Sequence, residues 1–537
     1  MRLLLLNDNY FGNAFKRSGI ETITMGPGDG MDIVCDPETE SLSQIIERIN
    51  FKPDVVLQVD SIDTRIFFRG IEELNIPTAF YAIDTPINEF WQHPYSHGFD
   101  RIYLDQHETW RQWSESGIDW ARWLPLAADS TIFYPPENNS ERNFPIVFIG
   151  TLDNRLRPKR SAILHRLKKI APVKIIDGGG TRSENTLKVA SLYRKAKIVV
   201  NENLFDGVNL RTFEAMATGA VVLNERGRGT EILFSDNEHL TFFDASDLEN
   251  VVSDLLKNPE KIEMIGQSGA RRIREKHTIT HRTGTVIRDL MTLKIRKDRN
   301  SHDSRQNVFW AMWQASWKWD KNLKSVRKYA ESKLRNYQNN LDKFDNAVLL
   351  EGMGLLDHAG TLLCDLIESD SSDAKSHAAL AALCISRNDI ETARKLLNGN
   401  NTDLSDLHVA IAERMEKEGA LITPGFNRQT FPSIGWNSFE HFQRALILNQ
   451  DNINALKGLD RILEYKNAQE FIVPLWQQYH ARNPEDTYSM KMLRQRAKEG
   501  YYMPAKKNEF SLNQIRNHPS HFKSLNNRIK YASIGAA

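Results

Sequence analysis

Short apolar runs alternate with amphipathic stretches in the N-terminal part of the chain, and this alternation limits the possible folds more than any other feature. The runs include "RLLLLN" (2–7), "DVVLQVD" (54–60) and "PTAFYAID" (77–84). The stretches between them, "SLSQIIERINF" and "RIFFRGIEEL", have the amphipathic character of surface helices. Strands that alternate with helices are typical of a parallel sheet covered by helices. We therefore predict an α/β domain over residues 1–143.

The same pattern restarts at "PIVFIG" (145–150), after a proline- and asparagine-rich linker, "YPPENNSERNFP". Four further apolar runs, "VKIIDGG", "KIVVNEN", "AVVLNE" and "LTFFD", continue the alternation to about Leu293. This predicts a second Rossmann-like domain over residues 144–293 that faces the first. Two such domains form a cleft, and ligands of parallel sheets bind beyond the carboxyl ends of the strands.

The strand pattern stops after residue 293, and helical periodicity replaces it. Residues 294–345 are predicted to form a helical linker with Trp310, Trp313 and Trp317 on one face. Such a stripe is expected to pack in a core or a domain interface rather than to bind a ligand.

Residues 346–505 are predicted to form an all-α domain that resembles a tetratricopeptide array, and residues 506–537 a basic, solvated tail. "SHAALAALCISRNDIETARKLL" fits one helix pair, and Phe442 and Trp476 lie one 34-residue period apart. Two residues depart from the repeat: Asp460 stands where a small residue is expected, and Pro474 is expected to interrupt a helix.

Composition excludes several classes of partner. Lys and Arg number 70 against 69 Asp and Glu, so no global field attracts nucleic acid or an anionic membrane. Cys35, Cys364 and Cys384 are expected to be small buried residues in a reducing compartment. No run reaches the roughly 18 apolar residues of a spanning helix, and the apolar run in "MRLLLLND" is too short for a signal peptide. We therefore expect a cytoplasmic protein with no integral membrane segment and no nucleic acid partner.

The strongest site signal is "FDGVNLRTFEAMATGAVVLNE" (205–225), which predicts a glycine turn and then a helix that ends at Gly219. Free N–H groups and the positive end of a helix dipole suit a phosphate. Arg211 can add a charge-assisted contact to a diphosphate, and Glu214 can accept hydroxyl hydrogens from a ribose. The alternative is that these two residues only form a helix salt bridge. The predicted nucleotide-diphosphate site comprises Gly207, Val208, Asn209, Leu210, Arg211 and Glu214.

A second basic element follows Gly150, which ends the first strand of the second domain. The next loop contains Arg155, Arg157, Lys159 and Arg160. A leaving diphosphate needs positive charge, which we expect from Arg155, whereas the other three are expected to be solvated. No Asp-x-Asp motif ends a strand, because "VDSID" has the wrong spacing. We therefore assign Gly150 and Arg155 to the donor site and expect no metal cofactor.

Asp84 ends the run "PTAFYAID", precedes a proline, and is expected to face the cleft from the first domain. It is a candidate general base or acceptor-binding carboxylate. A turn-forming aspartate is an equally good interpretation.

These motifs resemble the CgeB-type, glycosyltransferase family 1-like enzymes of the GT-B fold. The resemblance is carried by "VFIGTLDNR", "YRKAKIVVNEN", "DGVNLRTFEAMATGAVVLNE" and "EKHTITHR", and in the first domain by "YAIDTP" and "LPLAADSTIFYP". It covers about the first 295 residues and leaves the helical remainder outside. The resemblance implies two facing Rossmann-like domains and metal-independent sugar transfer from a nucleotide sugar.

The resemblance also implies a retaining, hexosyltransferase-like reaction. Related retaining enzymes have two glutamates separated by seven residues, the first near the donor sugar and the second on the ribose. Here Asp206 and Glu214 have this separation, and Asp206 is one methylene shorter than glutamate. The catalytic candidates are then Asp84, Asp206 and Arg155.

A helical-repeat array presents an extended concave surface, so we expect this region to recruit a protein or large glycan acceptor. Two other functions fit the same sequence. One is a catalytically inactive GT-B and helical-repeat adaptor, and the other is a sugar-nucleotide epimerase on the same fold. The sequence leaves the base, the sugar, the acceptor and the oligomeric state open.

Overall fold

The computed structural model describes residues 1–8, 11, 13–60, 66–137, 142–152, 158–177, 182–203, 207–318, 323–337, 341–398, 403–416, 431–465 and 468–499. Within these ranges the chain forms two parallel sheets flanked by helices, followed by a long helical region. The predicted fold class, α/β followed by an all-α region, is confirmed.

The first sheet has the strand order β3-β2-β1-β4-β5-β6-β7, and its strand pairs are parallel. Its strands are β1 (Arg2–Leu6), β2 (Glu21–Gly26), β3 (Ile33–Val34), β4 (Val55–Val59), β5 (Thr78–Ala82), β6 (Arg101–Leu104) and β7 (Ala121–Trp123). Its helices are α1 (Asn13–Arg17), α2 (Leu42–Arg48), α3 (Thr85–Tyr95) and α4 (His107–Glu115).

The apolar run of β1 is continuous because both faces of the sheet are covered. Leu4 and Leu6 belong to one hydrophobic core, and Leu3 and Leu5 belong to the core on the other face. The stretch "RIFFRGIEEL" differs from the prediction, since its described residues, 66–74, form a 3-10 turn, Ile71–Glu73, and no α-helix. Gly70 precedes this turn with a left-handed φ of 76°, which is incompatible with a continuous helix.

The second sheet has the order β12-β11-β10-β8-β9, again with parallel pairs, and it begins at Phe144. Its strands are β8 (Phe144–Ile149), β9 (Val173–Ile176), β10 (Ala196–Asn201), β11 (Val221–Glu225) and β12 (Thr241–Phe243). Its helices are α5 (Pro158–Lys168), α6 (Arg182–Arg194), α7 (Leu210–Ala217), α8 (Arg228–Leu233), α9 (Leu248–Lys257), α10 (Pro259–Lys276) and α11 (Ile279–Leu290). Each predicted apolar run of this domain forms a strand.

Helix α11 crosses back to the first domain. Asp289 near its C-terminus accepts a hydrogen bond from the Tyr103 hydroxyl at 2.8 Å and forms an ion pair with Arg101 at 2.8 Å. Arg282 donates to the carbonyl oxygens of Pro125 at 2.6 Å and Leu126 at 3.2 Å. The end of the second domain is therefore fixed to the first.

The helical region packs on the outer face of the first domain. Its described helices are α12 (His302–Lys318), α13 (Lys324–Leu334), α14 (Lys343–Gly352), α15 (Leu356–Ser369), α16 (Ala374–Ser386), α17 (Ile390–Leu397), α18 (Leu404–Met415), α19 (Ser438–Leu448), α20 (Ile453–Tyr465), α21 (Val473–Arg482) and α22 (Thr487–Lys498). None of the described helices has the length and apolar character needed to cross a membrane.

The tryptophan stripe packs as predicted. Trp313 is fully buried in the hydrophobic core shared with the first domain, and Trp310 and Trp317 pack against that core. The ring centroids of Trp310 and Trp313 lie 5.0 Å apart, and Trp313 also contacts Phe431. The stripe is therefore an interface between the first domain and the helical region.

The two departures from the repeat pattern have structural explanations. Pro474 lies in the first turn of α21, so it begins this helix and the predicted interruption is wrong. Asp460 is buried and accepts hydrogen bonds from Arg496 at 2.7 Å and from the Trp476 indole at 3.1 Å. Cys364 also differs from expectation, since it is exposed.

Candidate functional site

The N-terminus of α7 lies at the carboxyl edge of the second sheet. Asn209 precedes the helix in an extended conformation, but its side chain does not cap the helix. Its Nδ2 instead donates to Asn201 Oδ1 at 2.8 Å, on the end of β10. The first N–H groups of α7 therefore have no side-chain cap, which is the arrangement that binds an anion. At the other end, Gly219 has a left-handed φ of 74°, as predicted for the helix terminus.

Arg211 joins three elements at this edge. Its Nε donates to the carbonyl of Ile149 at 3.0 Å, and its Nη1 donates to Asn201 Oδ1 at 2.8 Å. Its guanidinium lies 4.8 Å from the centre of the Phe148 ring. Nη2 has no hydrogen bond to any described residue and lies beside Gly150, where an ideal Cβ would be 2.5 Å away. The guanidinium is thus held by the protein, and Nη2 is the nitrogen that the arrangement offers to a ligand.

The other predicted donor residues differ in accessibility. Glu214 is 9% exposed, and Gly207 and Leu210 are half-buried. Val208 departs from the prediction, because its N–H donates to the side chain of Gln106 at 2.9 Å. This N–H is therefore not available to a phosphate in this arrangement. Asp206 and Arg155 lie outside the described residues.

The basic residues at the start of α5 are not solvated as expected. Arg160 is 5% exposed and donates through Nε and Nη2 to Glu202 at 2.8 and 2.7 Å. Lys159 forms ion pairs with Glu225 at 2.8 Å and with Glu470 of the helical region at 3.7 Å. Burial by itself lowers the pKa of Lys159, but the two adjacent carboxylates outweigh it and raise the pKa above its ordinary value. The positive charge of these two residues is thus neutralised within the protein.

A buried amide network holds α7 on the second sheet. Asn201 Nδ2 donates to Asn224 Oδ1 at 2.7 Å and to Thr212 Oγ1 at 3.1 Å. Asn203 Nδ2 donates to the carbonyl of Glu225 at 2.6 Å. These residues were not predicted from the sequence, although the asparagines lie at or just beyond the ends of apolar strands, which is a usable signal.

Asp84 lies in the first domain, between β5 and α3. It has a left-handed φ of 53° and ψ of 43°, and its side chain makes no capping hydrogen bond to α3. Asn7, after β1, has a similar φ of 56°. Left-handed backbone at a residue other than glycine is costly and concentrates at functional sites. Aspartate also adopts this conformation in ordinary turns, so the functional carboxylate and the turn-forming aspartate both stay predictions.

Asp105 directly follows β6, is fully buried and organises the carboxyl edge of the first sheet around Asp84. It accepts hydrogen bonds from the Asp84 N–H at 2.9 Å, the Thr85 hydroxyl at 3.1 Å and the Gln106 amide at 2.9 Å. Burial, with a further contribution from the Asp84 charge, raises the pKa of Asp105 to about 7, despite the opposing effect of these hydrogen bonds. Neither Asp105 nor Gln106 was predicted, although both directly follow the apolar run "RIYL".

Residues 160–288 match a family model described as Glycosyl transferase-like. Among curated proteins, no sequence matches this chain. Solved structures with a similar fold include sucrose-phosphate synthase from Thermosynechococcus elongatus, with 13% identity, a TM-score of 0.41, and coverage of 54% of this chain and 99% of that chain. Anabaena Alr3699/HepE in complex with UDP-glucose has 10% identity, a TM-score of 0.42 and coverage of 55% and 100%. A glycosyltransferase from Rickettsia africae ESF-5 has 11% identity, a TM-score of 0.39 and coverage of 54% and 98%.

The family match includes α5, α7 and the strands β10 and β11 between which the amide network lies. The uncapped helix, Arg211 and Glu214 all fall inside it. The second domain of this chain is therefore a glycosyl transferase-like domain.

Proposed function

We propose that this protein is a glycosyltransferase that binds a nucleotide-diphosphate sugar on the second domain and transfers the sugar to an acceptor held in the cleft. One observation carries the proposal: α7 has an uncapped N-terminus and carries Arg211 in its first turn, both inside the segment that matches the family model. Arg211 Nη2 lies beside Gly150, which precedes that segment. Uncapped N–H groups with an adjacent guanidinium are suited to a diphosphate.

The proposed roles follow from side-chain chemistry. Arg211 and the α7 N–H groups bind the diphosphate, and Gly150 keeps the approach to Arg211 open. Glu214 accepts ribose hydroxyls, and Arg155 adds positive charge as the diphosphate leaves. Asp84 serves as general base or acceptor-binding carboxylate. The family resemblance assigns Asp206 to the donor sugar and favours a retaining reaction of the CgeB type.

The helical region is proposed to recruit the acceptor, a protein or a large glycan. Phe442 in α19 and Trp476 in α21, two helices separated by α20, are both fully buried one 34-residue period apart, which supports a tetratricopeptide-like arrangement. The reaction is proposed to be cytoplasmic.

Calorimetry with UDP, GDP, ADP and TDP tests the donor site. The wild type should bind one of them preferentially. Arg211→Ala should lower the affinity for that nucleoside diphosphate but hardly change the affinity for the corresponding nucleoside. Glu214→Gln should lower both affinities. Arg274→Ala and Glu275→Gln, at exposed positions of α10, are matched controls. Equal affinity in wild type and both site variants would disprove the assignment.

The metal-independent mechanism has its own test. Release of the nucleoside diphosphate from its sugar donor should persist in EDTA, because side-chain cations and the helix dipole are proposed to stabilise the leaving group. Loss of turnover on chelation, restored by Mg²⁺ or Mn²⁺, would overturn this part of the proposal.

Failure to bind any nucleotide would favour an inactive adaptor, and conversion of the donor to an isomeric nucleotide sugar would favour an epimerase.

A further inference from the structure

The side chain of Gln106 connects the first domain to the second domain at the start of α7. Its Nε2 donates to the carbonyl of Val208 at 3.0 Å, and its Oε1 accepts from the N–H of the same residue at 2.9 Å. Gln106 is 7% exposed and Val208 is 1% exposed. Both peptide groups of Val208 are therefore bound by one amide side chain, in a place where water competes little.

Asp105 fixes the orientation of this amide. Asp105 Oδ2 accepts the Asp84 N–H and lies 2.9 Å from the Gln106 amide nitrogen, so the nitrogen of the amide, and not its oxygen, faces Asp105. The oxygen of the amide is then directed to the Val208 N–H. The arrangement requires a side chain with both a donor and an acceptor, and the terminal amide of glutamine provides both.

The same carboxylate also holds the Asp84 turn. Asp105 Oδ2 accepts from the N–H of Asp84 at 2.9 Å, and Oδ1 accepts from the hydroxyl of Thr85 at 3.1 Å. Asp84 and Val208 are thus linked through two consecutive residues of the first domain, Asp105 and Gln106.

The segment that Gln106 binds leads directly into the candidate phosphate site. Val208 is followed by Asn209, whose side chain is bound to Asn201 on β10. The start of α7 is therefore held from its own sheet by Asn201 and from the opposite domain by Gln106.

We propose that Gln106 is a positioning residue for sugar transfer, which keeps the Val208 peptide and the start of α7 in a fixed relation to the Asp84 turn. The inference rests on the proposed function, because the reaction it serves is transfer from a nucleotide sugar. Gln106 acts through Val208 and does not itself contact the reacting atoms.

Gln106→Met tests the proposal, because it keeps the length of the side chain and removes its hydrogen bonds. Free nucleoside diphosphate, chosen from UDP, GDP, ADP and TDP, should bind within about twofold of wild type, since the proposed phosphate and ribose ligands lie in the second domain. Donor hydrolysis at saturating nucleotide sugar should fall about ten- to a hundredfold, the effect of losing the two hydrogen bonds to Val208. The KM for the donor should change little.

Hydrogen exchange of the Val208 amide gives a readout that is independent of activity. This amide should exchange at least about tenfold faster in Gln106→Met, and at the wild-type rate in Gln112→Met, a control at an exposed position of α4. Gln106→Glu retains an acceptor for the Val208 N–H but loses both donated bonds. It should therefore protect Val208 partly and still hydrolyse the donor more slowly than wild type.

The outcomes separate the two proposals. Wild-type hydrolysis in Gln106→Met, together with faster exchange at Val208, would overturn the positioning role and leave the transferase function intact. If Gln106→Met does not fold, donor hydrolysis by Gln106→Glu at the wild-type rate would likewise overturn the positioning role. A wild type that neither binds a nucleoside diphosphate nor hydrolyses any nucleotide sugar would overturn the transferase function, and the positioning role with it.

Discussion

Asp84 combines an unfavourable backbone with a side chain that contributes nothing to its own turn. A left-handed conformation at a residue with a Cβ costs roughly 1–2 kcal/mol. Asp84 adopts this conformation at φ 53°, yet its carboxylate makes no hydrogen bond to the N-terminus of α3. The conformation is maintained instead by Asp105, which accepts the Asp84 N–H.

Substitution by glycine separates the two possible roles of Asp84. Asp84→Gly should relieve the backbone strain and change the free energy of unfolding by no more than about 1 kcal/mol, while donor hydrolysis falls about a hundredfold or more. Donor hydrolysis by Asp84→Asn should fall by a similar factor, because asparagine tolerates the left-handed backbone but lacks the negative charge. Asn388→Gly, at another left-handed position far along the chain, is the control. A fully active glycine variant would show that Asp84 only forms the turn.

Asp105 should make stability depend on pH in an unusual direction. Its pKa is about 7 in the folded protein against 3.8 for an ordinary aspartate, so between these values the folded state holds one proton more than the unfolded state. The contribution of Asp105 to the free energy of unfolding is therefore fully present below about pH 4 and decreases as the pH rises from 4 to 7. Above about pH 7 it no longer changes with pH.

The comparison with Asp105→Asn isolates this contribution. The free energy of unfolding of wild type minus that of the variant should decrease between pH 5 and 7, by up to about 1.4 kcal/mol per pH unit, and then level off. Denaturant titrations at several pH values measure it. Parallel curves for the two proteins would mean that Asp105 is ionised throughout this range.

At the scale of elements, the ends of β8 and β10 and the start of α7 form one unit through Arg211. The guanidinium is bonded to the last residue of β8 and to the last residue of β10, and it lies against the Phe148 ring. Gly150 is required here for space. A Cβ at this position would lie 2.5 Å from Arg211 Nη2 and 3.2 Å from the Phe148 ring.

Gly150→Ala should therefore displace Arg211 without removing any charge. We expect a loss of roughly 1–3 kcal/mol in stability and a weaker nucleoside diphosphate affinity, both measured by calorimetry. Gly28→Ala is the matched control, because no atom lies within 4 Å of an added Cβ at that position. Unchanged affinity in Gly150→Ala would show that the placement of Arg211 is not important for the ligand.

At the scale of the whole molecule, the helical region contacts both α/β domains. Arg299, fully buried, pairs with Asp100 of the first domain at 2.5 Å, and the adjoining hydrophobic core continues from β1 to Trp436. At the far end, Glu470 in the 3-10 turn Gln469–Phe471 pairs with Lys159 at the start of α5. Removal of the helices would expose this shared core, so a point substitution tests their role better than truncation.

Glu470→Gln should remove the ion pair between Lys159 and the helical region while leaving Lys159 paired with Glu225. We expect about 1–3 kcal/mol less protection from hydrogen exchange in the segment 468–482, because a buried ion pair loses one partner. Glu485→Gln, at an exposed position before α22, is the control. Identical exchange in wild type and Glu470→Gln would show that the helical region is held on the second domain by other contacts.

The local pattern of the sequence was sufficient to predict most of the strands and helices. Apolar runs such as "KIVVNEN" and "AVVLNE" became strands because both faces of a parallel sheet are buried, which demands continuous apolar residues. The helix after Gly207 and its left-handed end at Gly219 followed from turn and capping preferences of neighbouring residues. Where Gly70 broke a plausible helix, the signal was also local and was underestimated.

The hydrogen bonds of the site were decided by tertiary structure. Gln106 and Val208 lie 102 residues apart in sequence, and no local preference relates an amide after one strand to a peptide before a distant helix. The same holds for Arg211 with Ile149, and for Lys159 with Glu470. In each case the sequence determined which charged or polar groups were present, and the packing of the domains decided whether a ligand or the protein itself is their partner.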